Sequence, residues 1–141
     1  MSGPIVGEPE QTRERTVVTR LRVANALLRP VLSRVVSMVL TRADWPLDRM
    51  EEALLVCDAL CAHAPACAPA ELPTFSVQAD EDQAELFVSD LGAGGAERLL
   101  ADCTLPLVGN VLERLADSVG LESDGGEGPR LAVALKSASP S

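Results

Sequence analysis

The order and periodicity of the apolar segments place this chain among α/β proteins, as a two-layer sandwich: a mostly antiparallel, mixed sheet with helices packed on one face. Three observations carry that expectation. Short stretches of strict apolar alternation recur at both ends and in the middle of the chain. Two long segments with helical spacing lie between the first and second of them. The later strands come in adjacent pairs, separated by turn-forming residues, as hairpins require. With 141 residues and 47% apolar composition, one domain with one core is expected.

Residues 1–15 are polar with Gly and Pro, and read as a flexible arm; the domain runs over 16–136, and 137–141 read as a frayed tail. The first strand is expected in TVVTRLRV, 16–23, where Val17, Thr19, Leu21 and Val23 share one side. A helix follows. Asn25 suits its N-cap, with Pro30 as an alternative marker of the first turn, and Leu28, Val31, Leu32, Val35 and Val39 form its apolar stripe.

Asp44-Trp45-Pro46 breaks that pattern. A second helix is expected from about Pro46 to Ala64, with Pro46 at its first position and Leu47, Met50, Leu54, Cys57, Cys61 and Ala64 buried. An Ala/Pro linker leads to a hairpin, in which Phe75 and Val77 share a face on one strand and Ala84, Leu86 and Val88 on the other, around the acidic turn 79–82. The loop DLGAGG, 90–95, opens into helical stretches near 95–102 and 105–117. A closing hairpin pairs Ser118–Glu122 with Arg130–Lys136, where Leu131, Val133 and Leu135 alternate.

Composition excludes several functions. Aromatics are limited to Trp45, Phe75 and Phe87, too few for a base-stacking platform. The net charge of −9 opposes direct nucleic-acid binding, and the basic residues read as scattered rather than patched. No apolar run is long enough to cross a bilayer, and the N-terminus has no signal-peptide core, so a cytoplasmic location with reduced cysteines is expected. Walker, dinucleotide and nucleophile-elbow motifs are missing.

Three places could carry chemistry. Asp58 is the only Asp, Glu, Lys or Arg between Ala53 and Ala70. It is either a general base or ligand contact, or an acid half-exposed at the helix rim. Asp90, Gly92 and Gly94 follow a strand, where an Asp can accept from an exocyclic amine and glycines admit close approach; the same residues also make ordinary turns. Cys57, Cys61, His63 and Cys67 suggest zinc by composition. Their spacing does not suit the usual knuckles, and His63 points away from Cys61 on a helix, so core packing is the better account.

Taken together, these features resemble the GHKL superfamily, the ATP-binding fold of gyrase, Hsp90, histidine kinases and MutL, and within it the single-domain bacterial anti-sigma factors that double as serine protein kinases. The resemblance covers roughly Thr16 to Lys136. It sets Asp58 where the family has its Glu base and Ala62 where it has the Asn that holds Mg²⁺. Asp90, Gly92 and Gly94 match D-x-G-x-G, whose Asp reads the adenine amine. Gly109 is what is left of the phosphate-cradling stretch, in 105–110, and the closing 126–131 segment lacks a Thr common there.

The resemblance thus implies a degenerate site: ATP bound weakly or not at all, Mg²⁺ not held in the usual way because Ala62 has no oxygen to offer, and catalysis lost before adenine recognition. It implies a regulatory protein that binds a sigma factor or an anti-sigma-factor antagonist, and is compatible with a homodimer. An exposed apolar patch on the first helix or near Trp45 would support that reading. The alternatives are an active ATP-dependent serine/threonine kinase with Asp58 as base, and a zinc module.

Overall fold

A computed structural model describes residues 17–67, 72–105, 109–123 and 129–137. The expected arm, most of the tail, the linker at 68–71, the closing turn at 124–128 and positions 106–108 lie outside the described residues.

The described chain runs β1 (Val17–Leu21), α1 (Asn25–Arg42), α2 (Leu47–His63), a 3₁₀ turn (Ala64–Cys67), β2 (Thr74–Ala79), β3 (Gln83–Ser89), α3 (Gly95–Asp102), β4 (Thr104–Leu105), β5 (Gly109–Asn110), α4 (Val111–Leu115), β6 (Ser118–Ser123) and β7 (Pro129–Lys136). Five strands form one sheet in the order β1-β2-β3-β7-β6, and β4 and β5 form a separate two-residue ribbon. The two-layer α+β architecture is the one expected. The sheet, however, is antiparallel at each of its pairings rather than mixed.

Alternation decides which face of the sheet is buried. Phe75 and Val77 of β2, Ala84, Leu86 and Val88 of β3, and Leu131, Val133 and Leu135 of β7 all point to the helical side and are shut off from solvent. The register aligns them in rows, Phe75–Val88–Leu131 and Val77–Leu86–Val133. Over these rows lie Leu28, Leu32, Val36, Val39 and Leu40 of α1 and Ala53, Val56, Cys57, Leu60 and Cys61 of α2. Each fully buried Leu or Val contributes about 1.5–3 kcal/mol relative to exposure.

The opposite face carries polar and small residues with Phe87 among them. The guanidinium of Arg130 stands 4.0 Å from the centre of the Phe87 ring and pairs with Glu122 at 2.9 Å. That cation–π cover keeps Phe87 almost fully buried on the outer face.

Several local expectations are corrected. Asn25 is the first residue of α1, not its N-cap; Ala24 holds the cap position without a side-chain bond, and Pro30 lies inside the helix. The missing N–H of Pro30 falls opposite Ala26, in an exposed turn where water can take the orphaned carbonyl. Pro46 caps α2 rather than opening it.

The buried stripe of α2 is rotated from the expected one. Leu47 is 70% exposed, whereas Arg49 is buried. The cause is long-range. Arg49 Nε donates to the Lys136 carbonyl at 2.8 Å, and its other nitrogens reach Asp117 Oδ2 at 3.0 Å and the Glu52 carboxylate. Asp117 Oδ2 also accepts from the Lys136 N–H at 2.7 Å. This network pins the start of α2 to the β6–β7 end of the sheet, and so sets the rotation of the helix.

Finally, the stretch expected to be helical over 105–117 holds the β5 end of the ribbon and a helix of five residues, after which Ser118 already belongs to β6. Asn110 stops the ribbon and starts the helix at once: its Oδ1 accepts from the Glu113 N–H at 3.1 Å, while its Nδ2 donates to the Leu100 carbonyl at 2.7 Å.

Candidate functional site

Helix α2 presents Asp58 and Ala62 one turn apart, and both line a cavity of about 420 Å³. The volume falls within the range of small-ligand sites. Its opposite wall comes from α4, through Val111, Arg114 and Leu115, with Cys103 as a buried member. Leu55, Ala59 and His63 complete the α2 side. The surface is almost wholly aliphatic. α4 is held beneath α2 because Leu112 is buried and the Val111 N–H donates to the Cys103 carbonyl at 3.0 Å.

Asp58 is at the rim. Its side chain is 50% exposed and faces the Arg29 guanidinium of α1 at 3.8 Å. Of the two readings open for this acid, the rim position is the one observed. It is an exposed ion pair, of small energetic weight.

The second group of expected residues is not part of this cavity's lining. Asp90 takes a positive φ of 60° at the end of β3 and is exposed. Its Oδ2 accepts a hydrogen bond from the buried Thr74 hydroxyl, across the β2–β3 ladder. Gly92 N–H donates to the Cys67 carbonyl at 3.1 Å. Gly94 is the N-cap of α3 with φ 71°, a left-handed conformation that favours glycine. Gly95, not singled out from sequence, is the most constrained of the loop. A Cβ there would stand 2.6 Å from the Cys67 carbonyl oxygen and 2.7 Å from Leu91 Cβ. The DLGAGG loop is thus seated against the 3₁₀ turn that extends α2, and its glycines serve that seating.

Gly109 has φ 91° and lies exposed in the β4–β5 ribbon, with nothing within 4 Å of a built Cβ. Its conformation accounts for the glycine. It does not line the cavity, although Val111, two residues on, does.

The cysteines are core residues. All four are buried thiols. Burial pushes Cys57 far above its ordinary value and raises Cys61 and Cys103 to about 11, with Asp102 adding to the effect at Cys103. Burial also raises Cys67. Thiols so held are protonated and poor ligands or nucleophiles. Among the described residues, no group of three or more His, Cys, Asp or Glu side chains comes together to hold a metal ion. His63 turns to the cavity instead.

One further expectation changes. Trp45 is not part of an exposed patch: it is buried, and its Nε1 donates to the Asp80 carbonyl at 2.8 Å. The arginines are unevenly distributed along the chain. Five of the twelve basic residues fall in 16–43, a segment without Asp or Glu, which folds as β1 and α1. The signal was present in the charge order along the chain, where it is masked by the acidic total.

The residues present do not fit Mg²⁺ in the family's usual manner. Among the described residues Asp58 is the one carboxylate in the cavity wall, it is already paired with Arg29, and Ala62 has no ligand atom. No helix among the described residues is long and apolar enough to cross a membrane. No protein-family model matches the chain, and no curated protein matches it.

Proposed function

We propose that this chain is a regulatory binding protein of the anti-sigma kind, acting in the cytoplasm on a sigma factor or an anti-sigma-factor antagonist, with a nucleotide site that takes ATP weakly or not at all. The observation that carries the reading is the aliphatic wall of the cavity shared by Asp58 and Ala62. A magnesium triphosphate needs oxygen ligands for the cation and donors for its phosphates. Leu55, Ala59, Ala62, Val111 and Leu115 supply neither; the polar side chains of the described lining are Asp58, which is paired with Arg29, together with His63 and Arg114. Asp90 supports the same reading: its carboxylate is engaged with Thr74, and the glycines after it are accounted for by packing on Cys67.

The test is calorimetric titration of the full chain with ATP and ADP, with and without Mg²⁺, beside Asp90→Asn. The expected result is no binding at micromolar nucleotide in either protein. Micromolar binding that Asp90→Asn abolishes would overturn the reading and restore the kinase alternative, for which radiolabel transfer to a partner serine, lost in Asp58→Asn, is the next measurement.

A further inference from the structure

The charge of this chain is segregated. Residues 16–43 hold five arginines and no acid, whereas residues 44–141 hold eighteen acidic and five basic side chains. β1 is an edge strand of the sheet, and α1 packs beside it; the register sets Arg20 beside Ser76, on the sheet face away from α1, so Arg34 and Arg42 are the arginines of the outer side of α1.

α1 buries Leu28, Leu32, Val36, Val39 and Leu40. At about 100° per residue, Leu27, Val31, Arg34, Met38 and Arg42 fall on the other side. Leu27 is 56% exposed and Met38 51%, and Arg34 and Arg42 are exposed with no ion-pair partner among the described residues. Leu27 and Met38 are separated by about three turns, roughly 16 Å along the helix. Beside Met38, a groove of about 110 Å³ opens between α1 and β1, lined by Thr19, Val35, Met38, Val39 and Arg42. An outward helical face with apolar side chains three turns apart, interleaved with arginines and bordered by a groove, has the form of a helix-docking surface.

We propose that the outer face of α1, with the adjoining β1 edge, is the docking surface for an acidic amphipathic helix of a partner protein. This rests on the reading that the chain works by binding a protein. The partner's carboxylates meet Arg34 and Arg42, and its apolar side chains meet Leu27 and Met38 and enter the groove. Charge complementarity selects this occupant. A second copy joined by a two-fold axis through α1 would set Arg34 and Arg42 against their own equivalents. A nucleic acid would leave Leu27 and Met38 facing phosphates, beside a domain whose remaining charge is strongly negative. An anionic membrane would satisfy the arginines, but this face has no aromatic side chain to seat in the interface.

The test uses the full chain and a fluorescein-labelled peptide of about 18 residues, with Leu at helical spacing and Glu on either side of that stripe. A peptide of the same composition in scrambled order is the control, and phosphatidylserine vesicles are the competing probe. Anisotropy is expected to show the amphipathic peptide binding at least about tenfold tighter than the scrambled one. The double variant Arg34→Glu/Arg42→Glu should weaken it by about tenfold or more, and Met38→Asp should weaken it too, with thermal unfolding unchanged because these side chains are exposed. Equal affinity for the two peptides, or an unaltered affinity in the double variant, overturns the proposal. Vesicle binding that the double variant abolishes, without peptide discrimination, also overturns it and assigns the face to lipid. Nucleotide titration of the same preparation separates the two readings: tight ATP binding removes the regulatory assignment whatever the peptide does, and failure of the peptide alone removes only this surface.

Discussion

Gly95 and the Cys67 carbonyl are in such close contact that a Cβ built on Gly95 would stand 2.6 Å from that oxygen. This contact joins the loop after β3 to the turn after α2. Gly95→Ala must therefore push the two segments apart and is expected to cost about 1–3 kcal/mol, as overpacking does. Gly94→Ala, with φ 71° and only an ordinary contact to Glu97 Oε1 at 3.9 Å, is expected to cost about 1–2 kcal/mol from backbone strain. Urea denaturation of both variants checks the order; equal losses would mean that conformation, not contact, is what glycine supplies here.

Arg49→Met should be among the more destabilising substitutions in the protein. It removes the donors to the Lys136 carbonyl, Asp117 and Glu52, leaving Asp117 without its guanidinium. A loss of about 2–4 kcal/mol is expected, in the range for breaking one side of a partly buried pair. A change under about 0.5 kcal/mol, as for an ordinary surface position, would contradict the network described.

Asp58→Asn, by contrast, should change stability by less than about 0.5 kcal/mol, because the pair with Arg29 is exposed on both sides. A thermal melt at low and moderate salt checks this. A loss of several degrees would mean that Asp58 has a role its exposure does not reveal.

The thiols predict a pH dependence. Cys61 and Cys103 titrate near 11 in the folded chain against an ordinary value of 9.0. The folded state therefore holds these protons more tightly than the unfolded one. The stabilisation is fully present below pH 9 and is lost as pH rises from 9 through about 11. Denaturation midpoints should fall across that window, and a Cys61→Ala/Cys103→Ala variant should fall less steeply. Ellman's reagent at neutral pH should find the four thiols slow in the native protein and fast in urea.

Much of the fold was legible where burial is governed by neighbours in sequence. The alternations of β2, β3 and β7 reappear as buried rows across the sheet, and α3 spans the expected 95–102. What was not legible depended on distant partners. Arg49 has no place in the apolar stripe read from the sequence, because Asp117 and Lys136, its partners, lie 68 and 87 residues away. Phe87 alternates with Leu86 and Val88 onto the opposite face, and Arg130, 43 positions on, covers it there. At the candidate site, Asp58 and Ala62 are brought together by helical spacing alone. Whether Asp90 joined them depended on how the glycine loop packs, and Cys67, on another segment, decides that.

The place of β7 between β3 and β6 has a consequence for synthesis on the ribosome. β3 gains its second neighbour only when residues 131–136 have emerged, because its partner in that ladder is the last strand of the sheet. Until then Ala84, Leu86 and Val88 belong to an edge strand, and β6 has no ladder to join. A nascent chain halted before Pro129 should thus be recognised by chaperones and cut by proteases, whereas one extended past Lys136 by the length of the exit tunnel should resist both.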